Sequence, residues 1–177
     1  NKNKGANALM HAKYLKGDTA ANLPVSWHFP VDDQHIVQHL PLNEHGWHAG
    51  DGGSGPGNRS SIGIEICENV DGDRAKAEEN AAKLTAELLK QLGLTIDSVV
   101  QHNRWSGKNC PHVIRSQTGG WEEFLTKVKS YLEGDVSMGR FKDVPAGHWA
   151  ETSIVKAAKA GIITGVADGE FGLGQPV

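Results

Sequence analysis

Two short runs in this chain hold side chains that could do chemistry. "QHNRWSGKNCPH", residues 101–112, sets His102, Lys108 and Cys110 close together, and "SIGIEICEN", residues 61–69, sets Glu65 in the middle of an apolar alternation. Imidazole and thiolate are ligands that zinc takes, and a catalytic zinc uses three protein ligands and keeps a fourth position for water. His102 and Cys110 are too far apart to share one helical face, but a loop containing Gly107 and closed by Pro111 can fold the thiolate back onto the imidazole. A loop histidine beside a buried free cysteine is the other reading of the pair. A carboxylate in mid-strand is uncommon unless it is paired or employed. Lys108 could set a cation where an oxyanion develops, or simply be solvated.

These residues need elements to position them. "KGANALMHAKYLKG" predicts a first helix, with Ala6, Leu9 and Met10 spaced along one face and Gly17 ending it. "VSWHFPV" alternates as a strand, with Val25, Trp27, Phe29 and Val31 on one face and Pro30 marking an edge or bulge. "QHIVQHL" reads as its partner strand. The Gly-rich stretch "NEHGWHAGDGGSGPGNRSS" is too long for a mere connection, and its His45, Trp47 and His48 favour a functional loop. In "SIGIEICEN" a strand buries Ile62, Ile64 and Ile66 and turns Gly63, Glu65 and Cys67 to the other side. Ala77, Ala81, Leu84, Leu88 and Leu92 recur at helical spacing up to Gly93. "SVVQHN" predicts a short strand ending at His102, and Trp121, Phe124, Leu125, Val128 and Leu132 mark a last helix of the main domain. Residues 1–132 are expected to form that domain, 133–139 a linker, and 140–177 a small helical unit with its own Trp149, Ile154, Val155 and Ile162.

Composition narrows the partners. The chain has 177 residues, 38% of them hydrophobic, enough for one core and an appendage. A net charge of −3 offers no electrostatic case for nucleic acid or an anionic membrane surface. No apolar run approaches the roughly 18 residues of a membrane span. Two cysteines, Cys67 and Cys110, could form a single disulfide, but the pair is weak grounds for an oxidised scaffold. The opening "NKNKGANALM" has neither Met nor a signal-peptide core and is not expected to be the natural start.

"WHFPVDD", "QHLPLNEHGWHAGDG", "GPGNRSSIGIEICEN" and "QHNRWSGKNCPH" together resemble the type 2 N-acetylmuramoyl-L-alanine amidases, zinc enzymes with the peptidoglycan-recognition-protein fold. The likeness covers residues 1 to about 132. It implies an α/β fold with a central mixed β-sheet flanked by helices, and hydrolysis of the amide between N-acetylmuramic acid and L-alanine in bacterial peptidoglycan. It makes His102 and Cys110 zinc ligands, Glu65 the acid/base and Lys108 the group that assists at the carbonyl. It also points to Trp27, His28, His48 and Asn58 as substrate-binding residues, although His48 and Asn58 could instead brace their own loop. The family's first zinc histidine lies on a strand ahead of the first helix, in a phrase like "VHNTAN", and is expected upstream of Asn1. His28 is not assigned as its substitute. Cys67 reads as a packed strand thiol.

The tail, "FKDVPAGHWAETSIVKAAKAGIITGVADGEFGLGQPV", resembles the S-layer homology module, which anchors proteins to secondary polymers of Gram-positive cell walls. The likeness stops where the module would continue with a second helix, so more chain is expected after Val177. Together the two resemblances imply an extracellular protein at the cell wall or cell surface. A non-catalytic peptidoglycan-binding or anchoring protein is the alternative; it would leave the set Glu65, His102, Lys108 and Cys110 without a task.

Overall fold

Short β-branched runs alternate with helical repeats, and the computed structural model realises them as a mixed α/β fold. It describes residues 2–137, 141–145, 148–159, 162–163, 165–167 and 170–173. The chain divides into two compact units, Asn1–Val128 and Lys129–Val177. The expected start of the second unit at Arg140 lies outside the described residues.

Strands β1 (Phe29–Val31) and β2 (Ile64–Ile66) pair in parallel, with Phe29 opposite Ile64, Pro30 opposite Glu65 and Val31 opposite Ile66. Pro30 has no N–H to give to a ladder. The Gly63 carbonyl accepts the amides of His28 at 3.1 Å and Phe29 at 3.0 Å, and the Cys67 amide reaches the Val31 carbonyl at 2.8 Å. From Trp27 to Asp32 every residue is buried, so both faces are covered, where the alternation predicted one.

The sheet is smaller than the sequence predicts. "QHIVQHL" contributes one antiparallel bridge, Val31 to Ile36, and amide bonds from Val37 to Pro30 (3.1 Å) and His39 to His28 (2.7 Å). "SVVQHN" is not a strand: a 3-10 turn, Ile96–Ser98, leads into extended backbone at Val99 that pairs with no strand among the described residues.

Helix α1 (Ala8–Leu15) is capped by Asn7, whose side chain accepts the Met10 amide at 3.0 Å. Leu9 and Met10, whose spacing pointed to this helix, are 50% and 51% exposed, and Ala8 and Ala12 face inward. The reason is Asp32, whose carboxylate accepts the Ala8 amide at 2.8 Å and draws the helix start against β1, where small side chains allow close approach. Helix α2 (Asp18–Ala21) follows, and α3 (Pro56–Ser60) is a single turn within the Gly-rich loop. Helix α4 (Arg74–Leu92) starts at Asp73, which accepts the Lys76 amide at 3.1 Å. It buries Ala77, Ala81, Ala82, Thr85, Ala86, Leu88 and Leu89 and packs on both strands. Short helices α5 (Asn103–Ser106) and α6 (His112–Arg115) flank the loop that carries Lys108 and Cys110. Helix α7 (Gly120–Ser137) buries Phe124 and Val128 and continues through residues 133–137, which were expected as linker.

In the second unit, α8 (Glu151–Lys159) supplies Ile154 to a cluster with Phe141 and Val144, against which Ala150, Ala158, Ile163 and Phe171 pack. Of the four apolar residues expected to mark this unit, Ile154 and Val155 are buried, whereas Trp149 is 89% and Ile162 75% exposed. The Asp143 carboxylate accepts the amides of Phe171, Gly172 and Leu173 at 2.7–2.9 Å, joining the two ends of the unit.

Asp32 ties the first unit together in the same way. Besides Ala8 it accepts the amides of Gln34 and His35, both at 2.6 Å, and it is 1% exposed. Burial by itself would raise its carboxyl pKa, but the three amides outweigh burial and hold it below the usual value. Replacing Asp32 with Ala leaves those donors buried without an acceptor and should cost about 3 kcal/mol in urea unfolding at neutral pH. The wild-type advantage should be full above the ordinary carboxylate range and disappear as pH falls through the depressed folded value.

Candidate functional site

A cleft of about 840 Å³ opens between β2 and the α5–α6 loop. Glu65, His102 and Cys110 line it, with His48 and Glu68 beside them. Lys108 is exposed on the same loop, and its charge acts on Glu65, His102 and Cys110 alike. Four residues drawn from two distant runs of sequence thus meet in one electrostatic neighbourhood.

Three of them, Glu65, His102 and Cys110, have shifted proton affinities. The Glu65 side chain is open to the cleft, yet enough protein surrounds it that desolvation raises its carboxyl pKa against the pull of Lys108. Burial raises the Cys110 thiol, the Glu65 carboxylate adds to the rise, and Lys108 and the His112 amide oppose it. Burial lowers His102, and Lys108 lowers it further. The buried Nε2 of His102 has no hydrogen-bond partner of ordinary geometry. Cys67 and Cys110 are both free, so they form no disulfide; Cys67 is a packed thiol that burial pushes up to about 12.

The donor chemistry of His102 and Cys110, an imidazole and a thiol facing one cleft, fits zinc as two of its ligands. Among the described residues no group of three or more His, Cys, Asp and Glu side chains is arranged to hold a metal ion.

The four residues expected at the substrate divide differently. His48 lines the cleft; its Nε2 donates at 3.0 Å to Ser61 Oγ, whose own proton goes to the Gly57 carbonyl at 2.6 Å. His28 does not line it. Fully buried, it accepts the Gly63 amide on Nδ1 at 3.0 Å and donates from Nε2 to the Glu44 carbonyl at 3.1 Å, so neither nitrogen is left for substrate or metal. Trp27 is 9% exposed and faces a separate cavity of about 430 Å³ with Asn3, His11 and Tyr14. Asn58 is 4% exposed and braces its own loop: its Oδ1 accepts the amides of His48 (2.8 Å) and Ala49 (2.7 Å). Sequence reading passed over Asp51, whose carboxylate accepts the amides of Gly57 (2.6 Å) and Asn58 (3.1 Å). An acidic residue shortly ahead of a Pro-initiated helical turn was the available signal.

His48 and His28 meet edge to face, with centroids 5.6 Å apart. Burial and the neighbouring histidines push His48 down to about 4. The unfolded chain therefore takes up a proton on His48 that the folded chain refuses, and stability falls as pH drops from about 6.5 towards 4. His48→Gln should flatten the pH dependence of urea unfolding in that window, by roughly 1–2 kcal/mol in total for a ring still partly open to solvent, in chelator-treated protein. An unchanged slope would contradict the burial of the ring.

The N-acetylmuramoyl-L-alanine amidase family profile matches residues 1–113, and the S-layer homology domain profile matches residues 140–172. The chain is similar to N-acetylmuramoyl-L-alanine amidase CwlH of Bacillus subtilis (strain 168), 52% identical over 127 residues, covering 72% of this chain and 48% of that protein. It is 53% identical over 124 residues to the amidase XlyA of the same organism, covering 70% of this chain and 39% of that one. The chain thus spans less than half the length of these curated relatives. Among solved structures, the catalytic domain of XlyA matches with a TM-score of 0.66 at 51% identity, covering 72% of this chain and 79% of that one. PlyL matches with 0.65 at 39% identity, covering 73% and 79%.

Proposed function

From the premise that this chain belongs to the N-acetylmuramoyl-L-alanine amidase family, we propose that it hydrolyses the amide joining N-acetylmuramic acid to L-alanine in bacterial peptidoglycan. The observation that carries the proposal is the meeting of Glu65, His102 and Cys110 around one cleft, within reach of the Lys108 charge. The relatives' printed names give the activity of those proteins and support the same reading here. The S-layer homology match supports attachment to a secondary cell-wall polymer and a place at the cell wall or cell surface. No helix among the described residues is long and apolar enough to cross a membrane.

His102 and Cys110 would hold a zinc ion. Bound there, zinc supplies a Lewis acid for the amide carbonyl and lowers the pKa of a coordinated water. Glu65 manages the proton. Its raised pKa brings the carboxyl nearer to neutral pH, where one group can accept a proton from the attacking water and return it to the leaving amine of L-alanine. Lys108 stands exposed beside it and offers a cation to the oxygen on which negative charge develops. His48, neutral through most of the physiological range, lines the wall along which the muramoyl peptide would lie.

Glu65→Gln should lower amide cleavage, read as new L-alanine amino termini released from purified cell walls, by roughly 10²–10⁴-fold while substrate binding persists. Near-normal cleavage would remove Glu65 from the chemistry. Cys110→Ser should lose metal first, because a hydroxyl is a far poorer zinc ligand than a thiolate. Metal analysis after dialysis checks this, and undiminished zinc in the variant would exclude Cys110 as a ligand.

A further inference from the structure

The Gly-rich loop does more than border the cleft. Asn58 is one of the few buried polar side chains of the first unit, and nearly all of its bonding capacity goes to fixing one stretch of backbone. Its Oδ1 takes the amides of His48 and Ala49 at 2.8 and 2.7 Å, and its Nδ2 donates to the Gly52 carbonyl at 3.1 Å. Its own amide is held by Asp51 at 3.1 Å, so the residue that clamps the loop is itself clamped by it.

The backbone so fixed lies directly against His102. A Cβ built on Gly50 would stand 3.4 Å from His102 Nε2 and 3.2 Å from Ser106 Oγ, which puts this segment over both ends of α5. The Ala49 carbonyl is the backbone acceptor acting on the His102 ring. Ala49 is 1% exposed and packs behind the same helix: a Cβ on Gly57 would come within 2.5 Å of the Ala49 methyl and 2.7 Å of Trp105 Cγ. Glycine at 57 is what lets α3, Ala49 and Trp105 approach so closely.

We propose that Asn58 is a positioning residue for His102: by fixing the His48–Ala49 backbone it sets the ring against Ala49 and Gly50, with Nε2 inward and the opposite edge turned to the cleft. A side-chain amide two steps removed from the reacting atoms thereby decides which nitrogen the site presents. Partners of this kind orient ligating imidazoles and tune their affinity. The inference deepens the proposed function and rests on the reading of His102 as a metal donor, but the arrangement of the ring can be tested without metal.

In metal-free protein, Asn58→Ala should exchange the amides of His48 and Ala49 about tenfold faster. It should also lose the cross-relaxation between the His102 ring protons and Gly50 that their proximity predicts for the parent chain. Zinc affinity, measured by chelator competition, should fall roughly 10- to 100-fold. Asn58→Asp retains an accepting oxygen and should restore most of both effects. Val128→Ala, a buried change in α7, should lower thermal stability yet leave the His102–Gly50 signals intact. Should Asn58→Ala not fold, Asp51→Asn, which weakens the hold on Asn58, carries the same expectations in milder form. Freed His48 and Ala49 amides with unchanged His102–Gly50 signals would reduce Asn58 to a loop brace and overturn the proposal. Equal loss of those signals in Val128→Ala would overturn it too. Neither result touches the assignment of Cys110, whose loss of metal on substitution by Ser is read separately.

Discussion

The side of the sheet on which Glu65 stands is decided by the register of a parallel pair only three residues long. Side chains alternate along a strand, so a slip of one residue would turn Glu65 to the opposite face and put an isoleucine in its place. Three residues of ladder, one of them Pro30, hold register poorly by themselves. The bonds around Gly63 supply the rest: its carbonyl receives two amides and its own amide ends on His28 Nδ1. A Cβ at Gly63 would come within 2.5 Å of the His48 ring, so this position can carry no side chain while His48 keeps its place. His28 then extends the lock to Glu44 at the start of the Gly-rich loop.

Seen from that lock, the three histidines have separate tasks. His28 spends both nitrogens on backbone and fixes strand to loop. His48 spends one on Ser61 and shows a face to the cleft. His102 keeps a buried Nε2 with no hydrogen-bond partner of ordinary geometry among the described residues. Burial lowers the proton affinity of all three and so favours their uncharged form.

The acidic partners are tuned in the complementary direction. Glu65 and Cys110 are both raised by desolvation and by proximity to negative charge, and Lys108 opposes the rise in each. Such a site resists holding two bare anions, and a divalent cation would relieve that resistance. The electrostatic cost of bringing these groups together is thus offset by what the proposed chemistry brings in. Away from the cleft, Asp32 and Asp143 show the opposite arrangement, in which carboxylates stay ionised because backbone amides converge on them.

Much of this was legible in the order of residues. The helical repeat ending at Gly93, the mid-strand position of Glu65, and the crowding of His102, Lys108 and Cys110 are local patterns, and local patterns survive translation into structure because period and spacing are properties of the chain itself. The resemblance carried by those motifs named the family before any geometry was known. What sequence could not decide was direction and depth. Leu9 and Met10 share the spacing of one helix face, yet Asp32 pulled α1 in on its alanine side. His28, Trp27 and Asn58 looked equally suited to touch a substrate. Tertiary packing buried the first, faced the second into another cavity and committed the third to the His48–Ala49 backbone. Hydrogen bonds between residues far apart in the chain made those choices, and such bonds depend on which segments meet, a fact that no single segment contains.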